Sequence, residues 1–402
     1  MKIGIIREEK IPPDSRVPLT PQQVGELNSR PDIDVVVEAS QGRCYSDDEY
    51  RAQGIEVVDD VSDCEILLGV KEIPISKLNQ GKTYFFFSHT IKKQAYNRDL
   101  LNALVNKNIT TIDYEVLTDD RGVRVIAFGR FAGMVGAHNA LWTWGQRTGN
   151  QPLKRMHQYD EYKDAVEAYS SIKFPNVRIV LTGTGRVANG AAEVLIDMGI
   201  RKVSPMEYLT QEFDHAVFTQ INSFFYADRK DGMSTDSVMD FYSNPTEYQS
   251  AFYPFIPRTD ILINGIYWDN AAPAFFTLDE MKRDDFNIKV ISDVTCDIAP
   301  VSSIPTTLHA TTIANPIFGY DRMNGKETAP HGDQVIDMMT IDNLPNELPR
   351  DASKAFGEMF IQYVLPELKK SHSAMLDRAT ITRDGNLTEK FEYLRDFLEG
   401  KE

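Results

Sequence analysis

"VRIVLTGTGRVANGAAEVLIDMG", residues 177–199, runs from an apolar, β-branched stretch through three closely spaced glycines into a helical pattern. Gly183, Gly185 and Ala188 fit G-x-G-x-x-G/A, and Gly190 follows two residues later. In that pattern the first glycine permits a tight turn and the second lets the backbone approach a pyrophosphate. The third small residue lets helix and strand pack closely, while the helix N-terminus presents oriented N–H groups. The required context of a strand before and a helix after is present, so a dinucleotide site is expected at Gly183, Gly185, Arg186, Ala188 and Gly190. The plainer alternative is a strand-to-helix corner. Glu207 lies 24 positions after Gly183. An acid at about that spacing would hold the adenosine ribose hydroxyls and repel a 2′-phosphate, which favours NAD over NADP. Glu207 read as a solvated loop acid is the competing view.

A βα alternation extends on both sides of this stretch. "KIGIIR" (2–7), "VVVEA" (35–39), "EILLGVK" (65–71) and "YFFFSH" (84–89) read as strands, with helical patterns between and after them. Thr20 is a natural N-cap, with Pro21 at the first helical position. "ITTIDYEVLTDDRGVRVIAFG" (109–129) reads as a hairpin turning at Asp119, Asp120 and Gly122. The small-residue helix "FAGMVGAHNALWTWGQR" (131–147) bridges to a second domain. After Pro175 the alternation restarts with residues 177–183, then "DILINGIYW" (260–268) and "KVISDVT" (289–295). Alternating strands and helices predict α/β, doubly wound parallel sheets. The expected division is 1–135 plus about 330–402 as one domain and 136–329 as the dinucleotide domain. Thr210–Arg258, aromatic and poorly periodic, reads as an insertion, and the charged C-terminal stretch as helix.

The 402 residues allow two domains of ordinary size. A hydrophobic share of 42% and a charged share of 25% are those of a globular protein. The net charge of −16 argues against nucleic acid or an anionic membrane as partner, though a local Arg/Lys cluster can still hold a small anion. Cys44, Cys64 and Cys296 lie far apart and suggest neither a metal site nor a disulfide framework. "MKIGIIREEK" is a poor signal peptide and no apolar run is long enough for a bilayer, so a cytoplasmic location is expected.

Ligands of open α/β sheets collect at the C-terminal ends of the strands. "LLGVKEIP" ends its strand with Lys71 and Glu72, and "FFFSHTIKKQ" ends the next with His89. A partly desolvated lysine beside a histidine could supply base and acid near neutrality. Spacing alone leaves open a solvated strand-end lysine and a satisfied loop histidine. Arg16 and Arg124 could pair bidentately with carboxylates, which would suit a substrate carrying more than one.

"IREEKIPPDSRVPLTP", "LLGVKEIP", "FFFSHTIKKQA", "DYEVLTDDRGVRVIAFGRFAG", "ILINGIYW" and "DNLPNELPRDASKAF" together resemble the lysine-forming saccharopine dehydrogenases, within the wider alanine dehydrogenase and transhydrogenase family. The resemblance spans roughly Met1 to Leu368 apart from Thr210–Arg258. It implies two Rossmann-like domains with the active site in a cleft between them, and NAD-dependent oxidation of saccharopine to lysine and 2-oxoglutarate. It makes Lys71 the general base and His89 its acid–base partner. Glu72 and Glu115 would tune those cations or hold the substrate ammonium. Arg16, Arg124 and, less directly, Lys10 would bind carboxylates, and Asp293 would lie by the nicotinamide. Two departures stand out: Arg130 replaces a bulky neutral aromatic, and the glycines of the turn are placed differently. Alanine or another opine is the alternative substrate, and a catalytically silent NAD-binding protein the alternative class. A small amino-acid or dicarboxylate ligand is the expected partner, and a homo-oligomer stays open.

Overall fold

The computed structural model describes residues 1–150, 153–235 and 237–401. Two compact units result, one of Met1–Phe128 with Pro349–Glu402 and the other of Gly129–Leu348. Both boundaries differ from the expected 135/136 and 329/330.

In the first unit, strands β1 (Lys2–Ile5), β2 (Asp34–Glu38), β3 (Val57–Val58), β4 (Ile66–Leu68), β5 (Thr83–Phe86) and β6 (Thr110–Asp113) pair in parallel. The order is β3-β2-β1-β4-β5-β6, so the winding reverses between β1 and β4. Alternation along the strands serves two cores. Ile3, Ile5, Val35, Val37, Leu68 and Phe85 fill one face, and Val36, Leu67, Tyr84 and Phe86 the other. Helix α1 (Pro21–Asn28) starts at Thr20, whose side chain accepts from Gln23 N–H while Gln23 reaches back in a capping box. Helix α2 (Asp47–Ala52) uses Ser46 and Glu49 in the same way, and α3 (Arg98–Asn106) precedes β6.

The hairpin expected over residues 109–129 does not form. Its first half is β6, which pairs in parallel with β5. Its second half makes only the isolated Thr118–Arg124 bridge around the Asp119–Gly122 turn. The ladder hydrogen bonds of β6 are taken on both sides by other strands.

The second unit opens with α4 (Gly129–Thr148), followed by α5 (Tyr162–Tyr169). Its sheet contains β7 (Arg178–Thr182), β8 (Arg201–Lys202), β9 (Val217–Ile221), β12 (Ile261–Asn264), β13 (Val290–Asp293), β14 (Ile317–Asp321), β15 (Lys326–Thr328) and β16 (Val335–Met339). A separate ribbon pairs β10 (Ala227–Arg229) with β11 (Tyr248–Ser250). The sheet order β15-β14-β16-β13-β12-β7-β9-β8 reverses between β7 and β12, and β14 alone runs against the other strands, antiparallel to both β16 and β15. Residues 317–339 thus complete this sheet, which carries the unit on to Leu348.

Helix α6 (Arg186–Asp197) packs on α4 backbone against backbone at two glycines. A Cβ at Gly133 would lie 1.8 Å from Val187 O, and one at Gly190 would lie 2.0 Å from Arg130 O. The small residues of α4 therefore serve this crossing and make the helix part of the second unit.

Two expectations fail here. Thr210–Arg258 is not wholly an insertion, because its residues 217–221 form β9, the strand beside β7. Helix α7 (Pro205–Thr210) precedes β9, and α8 (Ser223–Tyr226) and α9 (Val238–Ser243) follow it. The charged C-terminal stretch contains β17 (Thr380–Arg383) and β18 (Asn386–Leu387), which extend the first sheet beyond β6. Thr380, Ile381 and Thr382 are buried there, so β-branched side chains outweighed the local charge. Helix α10 (Pro349–Met359) returns the chain to the first unit and buries Phe356.

Candidate functional site

The first unit gathers its polar strand ends where the winding reverses, the position at which doubly wound sheets bind ligands. Lys71 lies three residues past β4 and His89 three residues past β5, and β4 and β5 are neighbours. Glu72 ties this edge together. One carboxylate oxygen meets His89 Nδ1 at 2.5 Å and the other accepts from Lys10 Nζ at 2.7 Å. Burial opposes its charge, but His89 and Lys10 overcome that and hold the carboxyl down at about 2. His89 adopts a left-handed backbone conformation (φ 54°, ψ 8°), uncommon for a residue bearing a Cβ and worth noting beside a charged cluster.

Lys71 is partly buried. Desolvation first, then the like charges of Arg16 and Lys10, bring its ammonium down to about 8 against the opposing pull of Asp14 and Glu72. A lysine so placed is partly neutral at physiological pH and can accept a proton. Glu115 follows β6 and reaches Lys92 at 3.6 Å and Arg124 at 4.0 Å. Arg124 also lies over the Phe87 ring at 5.5 Å. Arg16, expected to meet a substrate carboxylate, is 2% exposed and already holds Asp14 through Nε (3.0 Å) and an Nη (2.6 Å). Its guanidinium stacks on Phe128 at 4.1 Å. Asp14 escaped the sequence reading, although D-x-R within a loop is a usual spacing for a local ion pair.

Glu8 was also missed. Its carboxylate accepts from Val70 N–H at 2.5 Å and Lys71 N–H at 3.0 Å, linking the end of β1 to the turn after β4. The available signal was the first of two adjacent acids in "IREEK", three residues past the end of β1.

In the second unit the glycine turn follows β7 at that sheet's reversal point. Gly183 has φ +98°, and a Cβ there would stand 2.7 Å from Gly265 O after β12, so the two turns touch. Gly185 is the N-cap of α6, and a Cβ on it would meet no atom within 4 Å. Open space over the second glycine, at the N-terminus of a twelve-residue helix, fits a dinucleotide pyrophosphate. Arg186 begins α6, and Ala188 is fully buried against the turn after β12. Gly190 faces Arg130 on α4, so its smallness is explained by helix packing rather than by a phosphate.

Glu207 is not where its spacing implied. Strand β8 lies at the sheet edge, and β9, not β8, neighbours β7. Glu207 is the N3 residue of α7, its carboxylate accepting from Ser204 N–H (2.9 Å) and Ser204 Oγ (2.7 Å) in a capping box. The strand flanking the glycine turn instead brings Gln220, which donates to Gly183 O at 3.0 Å and accepts from Lys202 at 2.7 Å. Asp293 ends β13 fully buried, accepting from Asn264 (2.8 Å), Thr307 (2.6 Å) and Cys296 N–H (3.1 Å). Burial outweighs those donors and raises its carboxyl to about 6. Among the described residues no group of His, Cys, Asp and Glu could hold a metal, and no helix is long and apolar enough to cross a membrane.

Residues 4–135 match the alanine dehydrogenase/PNT N-terminal domain. Saccharopine dehydrogenase [NAD(+), L-lysine-forming] of Yarrowia lipolytica is 26% identical over 93% of this chain and 94% of its own length. Along nearly its whole length the chain is similar to a lysine-forming saccharopine dehydrogenase. Mitochondrial alpha-aminoadipic semialdehyde synthase of Mus musculus is 30% identical over the whole of this chain. The chain spans about half the length of that relative, 48%. A solved L-alanine dehydrogenase superposes with a TM-score of 0.67 over 99% of the chain at 18% identity, which shows the shared two-unit α/β fold.

Proposed function

We propose that the protein is an NAD-dependent dehydrogenase acting on the CH–NH group of an amino acid or opine, with saccharopine as the substrate oxidised to lysine and 2-oxoglutarate. The observation that carries this reading is Lys71. It is a lysine brought to near-neutral titration at the reversal point of its sheet, beside a Glu72 that holds His89. Support comes from the saccharopine dehydrogenase homologues and the alanine dehydrogenase/PNT domain.

Oxidation of a secondary amine requires a nitrogen lone pair, so the substrate ammonium must first lose a proton. Lys71 is the base that takes it. NAD, when bound, accepts the hydride from the carbon beside that nitrogen. The iminium formed is then hydrolysed: water gives up one proton as it adds, and collapse to amine and ketone needs one proton delivered to the nitrogen and one taken from the carbinol hydroxyl. Lys71 and His89 share those transfers, with Glu72 orienting the imidazole through Nδ1 and fixing which nitrogen is left to work. Arg124 and Lys10 supply positive charge for substrate carboxylates. Arg16 does so only with Asp14 as a standing partner, and Glu115 balances Arg124. Gly183, Gly185 and the first turn of α6 at Arg186 would hold the dinucleotide, with Ala188 giving the close packing and Asp293 lying at the end of β13.

NADH formation with saccharopine, L-alanine and a panel of opines, run with NAD and NADP in parallel, tests the reading. Turnover of saccharopine that is lost in Lys71→Met while NADH binding persists is the expected result. Turnover of alanine alone overturns the substrate, and tight NADH binding with no amine oxidised overturns the activity.

A further inference from the structure

Beyond the base itself, the turn that carries it has an anchor. β1 and β4 are the two strands between which the first sheet reverses. Past their paired residues the chain continues extended on the β1 side, where Ile6 N–H donates to Leu68 O at 3.0 Å. Glu8 then projects across to the β4 side. One carboxylate oxygen accepts from Val70 N–H and the other from Lys71 N–H, at 2.5 and 3.0 Å. The turn beneath is tight, since a Cβ on Gly69 would stand 2.7 Å from Ile6 Cδ1 and 3.4 Å from Glu8 Oε1. Two consecutive peptide N–H groups with no strand to pair with are thus both taken by one side chain 62 residues away.

We propose that Glu8 is the positioning residue of Lys71: by gripping the amides of Val70 and Lys71 it fixes the turn from which the lysine side chain leaves the sheet. This inference rests on the reading of Lys71 as the base. Fixing the backbone at residue 71 sets which surroundings the amine meets, namely Arg16, Lys10, Asp14 and Glu72. Glu8 lies in the same field, with Asp14, Arg16 and Tyr114 acting on it or feeling it. Desolvation raises its carboxyl to about 8 even against the two amide donors. It is therefore an acid kept in an unfavourable place by the geometry it maintains.

Competitive acetylation of Lys71 in the full-length protein, quantified by mass spectrometry from pH 6 to 11, reads the amine's titration without any turnover. With Glu8→Ala the turn loses both acceptors, the amine gains water, and the midpoint is expected to rise by about one unit, a tenfold fall in neutral fraction below the midpoint. Glu8→Asp, one methylene shorter and unable to span both amides, is expected to shift the midpoint in the same direction. Glu8→Gln keeps the length but accepts from only one amide and turns its NH2 toward the other, so it is expected to shift the midpoint in the same direction by less than Glu8→Ala. NADH affinity serves as the check that the second unit is intact. Midpoints that stay at the parental value in Glu8→Ala and Glu8→Asp, with only the unfolding midpoint lowered, would overturn the proposal and leave Glu8 a structural tie. If saccharopine is not a substrate, a shifted labelling midpoint still upholds the positioning role, so the two ideas fail separately.

Discussion

Lys71→Met separates the function of the lysine from its cost. Its ammonium titrates at about 8 rather than 10.5, a difference of about 2.5 units or about 3.4 kcal/mol as a ceiling. Because the folded value lies below the unfolded one, the folded state binds fewer protons between pH 8 and 10.5, and stability rises with pH through that window. Below pH 8 the lysine is charged in both states and the folded chain bears the whole desolvation penalty. Methionine is close in volume and carries no charge. Lys71→Met should therefore stabilise the first unit at pH 7 by about 1–3 kcal/mol, the lower figure allowing for residual water around a partly exposed side chain. The gain should shrink as pH rises past 8 and be mostly gone near 10.5. All three tryptophans, Trp142, Trp144 and Trp268, lie in the second unit, so tryptophan fluorescence does not report on the first. Urea unfolding read by hydrogen-exchange mass spectrometry on β4 and β5 peptides does. The same lysine predicts a kcat/KM profile that falls tenfold per pH unit below about 8, with about one enzyme in ten carrying a neutral Lys71 at pH 7. A Lys71→Met protein less stable than the parent at pH 7, or equally favoured at pH 7 and 10.5, would refute the claim that this lysine is held desolvated.

Three further outcomes follow from single contacts. Gly185→Ala places a methyl where no protein atom lies within 4 Å, at an ordinary backbone conformation (φ −82°), so melting should be unchanged while NADH affinity by calorimetry falls at least about tenfold. Unchanged affinity would remove the pyrophosphate from that turn. Glu207→Gln should leave NADH affinity within about twofold, because its carboxylate is engaged with Ser204; a tenfold loss would return Glu207 to the ribose. Asp14→Asn breaks an ion pair whose side chains are 1–2% exposed and should cost the first unit about 3–5 kcal/mol by hydrogen exchange, with NADH binding in the second unit retained. A loss below about 1 kcal/mol would mean that the pair is not desolvated as its burial implies.

What could be read from the chain alone divides along a physical line. The apolar centres of strands such as 179–181 and 84–86 carry their own signal, because a strand buried on both faces is near-continuously apolar there. Caps at Thr20 and Ser46 are equally local. Lys71, Glu72 and His89 were legible because charge at the end of an apolar strand needs a reason within a few residues. Lateral neighbours are a different matter. Spacing assumed that the strand after α6 lies beside β7, which put Glu207 at the ribose; the sheet instead places β9 there, drawn from a segment whose aromatic residues masked its strand. The strands β17 and β18 were hidden by surrounding charge, and only their place against β6 explains them. Gly190 shows the same limit at one residue, since the glycine that lets a helix approach α4 is indistinguishable in sequence from one that admits a phosphate. Glu8 sits on the same side of that line. Its partners are backbone amides across the sheet reversal, which no side-chain pattern can announce. A titrating lysine can thus be nominated from sequence, but the group that aims it becomes visible only when β1 and β4 are known to be neighbours.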